Sequence, residues 1–127
     1  MTVAPTAAAP LRVPLGALRF TGVGLRRPEC VLCTSAGDLF VADWRGGVTR
    51  IAPDGTQQTV VGTLPCGGPL QPNGIALASD GTFLLAHLGA SEGGIFRLGP
   101  GGAVTPVLTT IDGKPMPPSN YVIEDAE

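Results

Sequence analysis

Three oxygen-bearing side chains stand at matching places in a recurring pattern. Glu29 follows Pro28, Asn73 follows Pro72 and Asn120 follows Ser119, and each opens an apolar run: Cys30-Val31-Leu32, Gly74-Ile75-Ala76 and Tyr121-Val122-Ile123. If the runs are strands converging on one axis, a carboxylate and two amide carbonyls meet there. Such hard oxygen donors suit a divalent cation of the calcium type, with zinc or manganese as alternatives. The competing reading is structural: Asn73-Gly74 as turn chemistry, Asn120 as a cap at the strand entry, and Glu29 as a solvated carboxylate.

His87 is the only histidine. It occupies the same repeat position as Asp43, at the end of a second strand that runs back toward Glu29 and Asn73. It is the candidate catalytic acid or base, because imidazole titrates near neutrality; capping of the following loop is the alternative. Asp43, in Ala42-Asp43-Trp44, reads as an acceptor for loop amides. Cys30 and Cys33 spell C-x-x-C, yet on a strand residues i and i+3 face opposite ways, so the thiols diverge and neither redox nor zinc chemistry is expected. Cys66 sits alone in a loop. Trp44, Phe40, Phe83 and Phe96 read first as packing residues. The Gly-rich stretch from Gly89 to Gly94 has no phosphate-loop pattern.

These residues need strands to position them, and the repeat supplies strands. Pro28 to Asp43 matches Pro72 to His87 at an offset of 44, and Gly47 to Ile51 matches Gly94 to Leu98 at an offset of 47. The second copy therefore carries three extra residues between its second and third strands. A third copy opens at Ser119. Each unit holds four short apolar runs separated by Gly-containing turns, the pattern of an up-and-down four-stranded sheet, and a period in the forties with four strands is that of a propeller blade. The expected strands are 29–34, 38–43, 47–52 and 56–62, then 73–78, 82–87, 94–98 and 103–109. Ala17 to Val23 is expected to form an extra strand of the kind that closes a ring. The fold class is all-β, a partial β-propeller of about two blades plus the first strand of a third, with residues 1–16 as a flexible leader and 17–127 as the propeller part.

Composition agrees with a turn-dense β fold: 19 Gly and 13 Pro in 127 residues. A formal charge of −2, with basic residues scattered, leaves no footprint for nucleic acid or an anionic membrane. No apolar run is long enough to span a bilayer. Three cysteines without a disulfide framework favour a reducing, cytoplasmic setting. Two blades cannot close a ring, so the chain is expected to continue beyond Glu127 or to self-associate through its open edges.

Gly24-Leu25-Arg26-Arg27-Pro28-Glu29-Cys30-Val31-Leu32, Leu39-Phe40-Val41-Ala42-Asp43-Trp44-Arg45-Gly46-Gly47-Val48 and Pro118-Ser119-Asn120-Tyr121-Val122 resemble the gluconolactonase, senescence-marker-protein and luciferin-regenerating-enzyme family. The resemblance covers nearly everything after residue 18. It implies a six-bladed propeller with a divalent cation, commonly calcium, in its central tunnel, and hydrolysis of a small-molecule lactone or related ester. It casts Glu29 as the first metal ligand and Asn120 as a ligand to metal or substrate. Asn73 matches a commoner Asn-Gly blade opening and stands beside Asn120 as a candidate substrate contact. The remaining ligands and the general base would lie beyond Glu127. The alternative is a propeller that only binds ligands or proteins.

Overall fold

A computed structural model of the protein describes residues 10–125. Eight strands form two four-stranded antiparallel meanders in chain order. The first holds β1 (Val31–Cys33), β2 (Leu39–Asp43), β3 (Gly47–Ile51) and β4 (Gln57–Val61). The second holds β5 (Pro72–Leu77), β6 (Phe83–Leu88), β7 (Gly93–Leu98) and β8 (Val104–Leu108). A short hairpin of β9 (Thr110–Ile111) and β10 (Lys114–Pro115) follows. The two meanders are successive blades of a partial β-propeller.

One turn design recurs through both blades. At Thr34, Ala52, Leu64, Ala78 and Gly99 the backbone N–H donates to the carbonyl four residues on, and the glycine three residues on donates back to the starting carbonyl. Those glycines (37, 55, 67, 81 and 102) all have φ between 81° and 89°. This is a type I turn closed by a residue in the left-handed region, a geometry that strongly favours glycine. The regular spacing of Gly in the sequence is thus a series of identical corners.

The central strands are buried and the outermost are not. β4 and β8 alternate or lie open, whereas β2, β3, β6 and β7 hold most of the core. Ala42, Val48 and Leu64 from the first blade and the link after it pack with Leu70, Ile75, Leu85, Phe96 and Leu98 in one cluster between the blades. Phe40 and Phe83 meet across the gap with ring centroids 5.1 Å apart. The Cys30 thiol lies beside the second blade's first strand, with the Ile75 N–H at 3.5 Å from its sulfur. Cys33, at the end of β1, is exposed and Cys30, just before β1, is buried, and both are free.

Two expectations are corrected, and one element was not foreseen. Ala17 to Val23 forms no strand: Leu15–Ala17 is a 3-10 turn, and Val23 is held instead by a reciprocal pair of hydrogen bonds with the Gln57 side chain. The third copy at 119–125 is not in a strand either, because its ladder partner would be the next strand of its own blade and the described residues contain none. It lies against β5 all the same. The hairpin at 110–115 was hidden in the sequence by its length; its turn residues Asp112 and Gly113 both have positive φ, 51° and 72°, which suits an Asp-Gly hairpin. The expected leader lies outside the described residues over 1–9, and residues 10–16 are exposed.

Candidate functional site

Asn73 owes its position to an irregularity. β5 pairs with β6 at Pro72↔His87 and again at Ile75↔Leu85, and the register shifts between them. Asn73-Gly74 is therefore a bulge inside a strand and not a turn. A bulge re-aims a side chain, and here it sends the Asn73 amide toward the 119–121 segment. Gly74 makes room for that segment: a Cβ on it would stand 2.6 Å from Tyr121 Cα and 3.0 Å from the Asn120 carbonyl oxygen. The segment is fastened from behind by Ser119 N–H to the His87 carbonyl at 2.8 Å, and by Gly94 N–H to Ser119 Oγ at 3.1 Å.

The three repeat positions come together. Asn73 Nδ2 donates to Asn120 Oδ1 at 2.7 Å and to the Asn120 carbonyl at 3.2 Å. The Glu29 carboxyl is held below its ordinary range chiefly by Arg27, against the opposing effect of desolvation, with the nearby Asn73 amide adding a lesser lowering. Arg27 adopts φ 46°, and its guanidinium pairs with Glu29 while lying 4.1 Å over the Trp44 ring. Asn73 is buried, Glu29 and Asn120 are exposed. Asn73 Oδ1 is buried with no hydrogen-bond partner among the described residues.

That orphaned oxygen bears on whether a cation fits. An amide NH2 now sits among the oxygens of Glu29 and Asn120, while its own carbonyl is left unsatisfied, a costly arrangement for a buried acceptor. Turning the Asn73 amide over exchanges the two atoms and brings a third oxygen to the cluster. Three oxygens facing one another repel unless a positive charge joins them. The donor set is all oxygen with one carboxylate, so the residues present fit a hard divalent cation. Among the described residues no group of three His, Cys, Asp or Glu side chains stands ready for a metal, so any site depends on the amides.

His87 lies elsewhere. Its Nδ1 accepts the Gln71 N–H at 3.1 Å, which places the proton of the neutral ring on Nε2. The ring meets Phe96 edge-on at 5.9 Å and lines a cavity of about 280 Å³ with Leu64, Cys66 and Glu92. Burial lowers its pKa from 6.5, with the Glu92 charge opposing. None of its side-chain hydrogen bonds reaches Glu29, Asn73 or Asn120.

Asp43 is fully buried and accepts from the Arg45 and Arg26 backbone N–H groups, the Thr49 hydroxyl and the Arg45 guanidinium, the last at 2.6 Å. Burial raises its pKa, but these donors outweigh it and the net shift is downward. It anchors the loop, as its Asp-Trp context suggested. Sequence reasoning assigned Arg27 no role. The available signal was a basic residue two before the carboxylate, but only the left-handed backbone at Arg27 shows that its guanidinium turns back onto Glu29.

No family model and no curated protein matches the chain. Among solved structures, an X-ray structure of a protein provisionally described as a gluconolactonase is 21% identical and aligns with a TM-score of 0.47, covering 80% of this chain. This chain spans 39% of that one's length.

Proposed function

We propose that the chain supplies the cation-facing oxygens of a divalent-metal-dependent hydrolase acting on a lactone or related ester. The contact between Asn73 and Asn120, with the Glu29 carboxylate close to Asn73, carries the reading: a scaffold has no need to gather a carboxylate and two amides from three successive repeats. Calcium is the favoured cation, since every donor is oxygen. Glu29 and Asn120 would hold it, and Asn73 and Asn120 would orient the substrate carbonyl. The cation, when bound, acts as a Lewis acid on that carbonyl. Asn73 is fixed by the bulge and buried, so it orients a ligand with little loss of side-chain freedom.

One observation favours a binding module as the second reading. His87, the candidate acid or base, faces a different cavity, which leaves the oxygen cluster with no base besides Glu29 among the described residues. The two readings separate by experiment. Calcium titrated calorimetrically into the chain should bind weakly, with Kd on the order of millimolar for a single-carboxylate site. Glu29→Gln should weaken it at least ~10-fold, the order expected when the only charged ligand is lost. In the complete protein the same change should abolish lactone hydrolysis. Unchanged affinity in Glu29→Gln overturns the cation site; cation binding without hydrolysis by the complete protein leaves the binding module.

A further inference from the structure

The oxygen cluster already has a cation beside it, and that cation belongs to the chain. Arg27 has φ 46°, a conformation uncommon outside glycine, asparagine and aspartate. It turns the side chain back so that the guanidinium lies over the face of Trp44, 4.1 Å from its centre, and pairs with the carboxylate of Glu29. The backbone beneath the indole is fixed to this corner: the main-chain N–H of Trp44 donates to the Arg26 carbonyl at 2.8 Å. Guanidinium, indole and carboxylate form one stack at the mouth of the cluster.

We propose that Arg27 is a built-in counter-cation that closes the oxygen site, and that a divalent cation enters only as Arg27 leaves both Glu29 and the face of Trp44. This rests on the cation reading above and adds its regulation. Glu29 carries the only formal negative charge of the trio, so a guanidinium and a divalent ion compete for the same group. With Arg27 in place the carboxylate is neutralised; adding a divalent ion without removing Arg27 would leave a net charge of +2 at one corner, and repulsion at contact distance opposes that. Exchange is easy because both partners are part-exposed, with side-chain exposures of 43% and 44%, and pairs at such sites hold weakly. The indole offers the guanidinium a resting place but no charge to balance it. The closed site stays intact without metal, and it selects against monovalent ions, which bring no more charge than Arg27 does.

Trp44 is the only tryptophan, so its fluorescence reports the stack directly. Calcium chloride titrated into the 127-residue chain, followed by heat and by Trp44 emission, tests the exchange. Saturation should shift the emission, and chelation should reverse the shift. Arg27→Gln should bind calcium about fivefold more tightly, the gain expected from removing a part-exposed competing charge. Its emission should start where the wild type ends and stay there. Arg27→Lys, which keeps the charge, should stay near the wild-type affinity. Heat from calcium in Arg27→Gln but none in the wild type would also support the exchange. Equal affinities in wild type and Arg27→Gln, or saturation of the wild type without a change in Trp44 emission, would overturn the role of Arg27 and leave the cation site standing. No heat in any of the three proteins would overturn the cation site and the exchange with it.

Discussion

His87 and Asp43 occupy the same repeat position and serve different ends. Asp43 is held ionised by donors on every side, whereas His87 is held neutral by burial. A folded-state pKa below the unfolded one means the unfolded chain takes up the proton first, so stability is full above the ordinary value and falls as pH drops through it. For His87 that ordinary value is 6.5. Since no other histidine competes, the urea midpoint should decline as pH falls from 7 toward 5, by at most ~1.4 kcal/mol of stability per unit. His87→Gln should flatten that slope. A wild-type midpoint that does not change over this range would show that the imidazole is not held neutral.

At the scale of the element, the bulge in β5 decides where the amide goes, and Gly74 decides whether the next segment can meet it. Gly74→Ala places a methyl 2.6 Å from Tyr121 Cα, which is backbone and cannot swing aside. The 119–125 segment should lift off β5, carrying Asn120 away from Asn73. The expected cost is about 1–3 kcal/mol, as for overpacking at a close contact, together with faster proteolysis after residue 118. Wild-type resistance to cleavage in Gly74→Ala would show that the segment is not seated where the structure puts it.

On the whole-molecule scale, two blades leave surface that a neighbouring blade covers in a closed ring. Val31, Leu77, Tyr121 and Ile123 are exposed, and a groove of about 810 Å³ runs between β1, β5 and the 121–125 segment. Phe20 is fully exposed among the described residues. Apolar surface of this extent, next to open strand edges, drives association. The 127-residue chain should therefore self-associate at micromolar concentration, seen as a concentration-dependent mass in light scattering. A compact monomer with a sharp melt at every concentration would mean that the groove tolerates water.

The repeat was legible because its causes are local. Each corner needs a glycine in the left-handed region, each strand needs an apolar run, and both leave marks at a fixed spacing that needs no knowledge of distant neighbours. That Asn73 meets Asn120, with Glu29 close by, was legible for the same reason: equal positions in equal units come near one axis. What lay outside the sequence depends on contacts between units. Whether Ala17 to Val23 becomes a strand turns on the presence of a partner edge, and the run alone looks the same either way. That Asn73-Gly74 is a bulge and not a turn follows from the register of β5 on β6. The direction of the His87 ring follows from the Gln71 N–H and the Phe96 edge, and the turn of Arg27 onto Glu29 from one left-handed residue and the face of Trp44. Strand and corner are written in neighbouring residues; the aim of a side chain is set by whatever the fold brings opposite it.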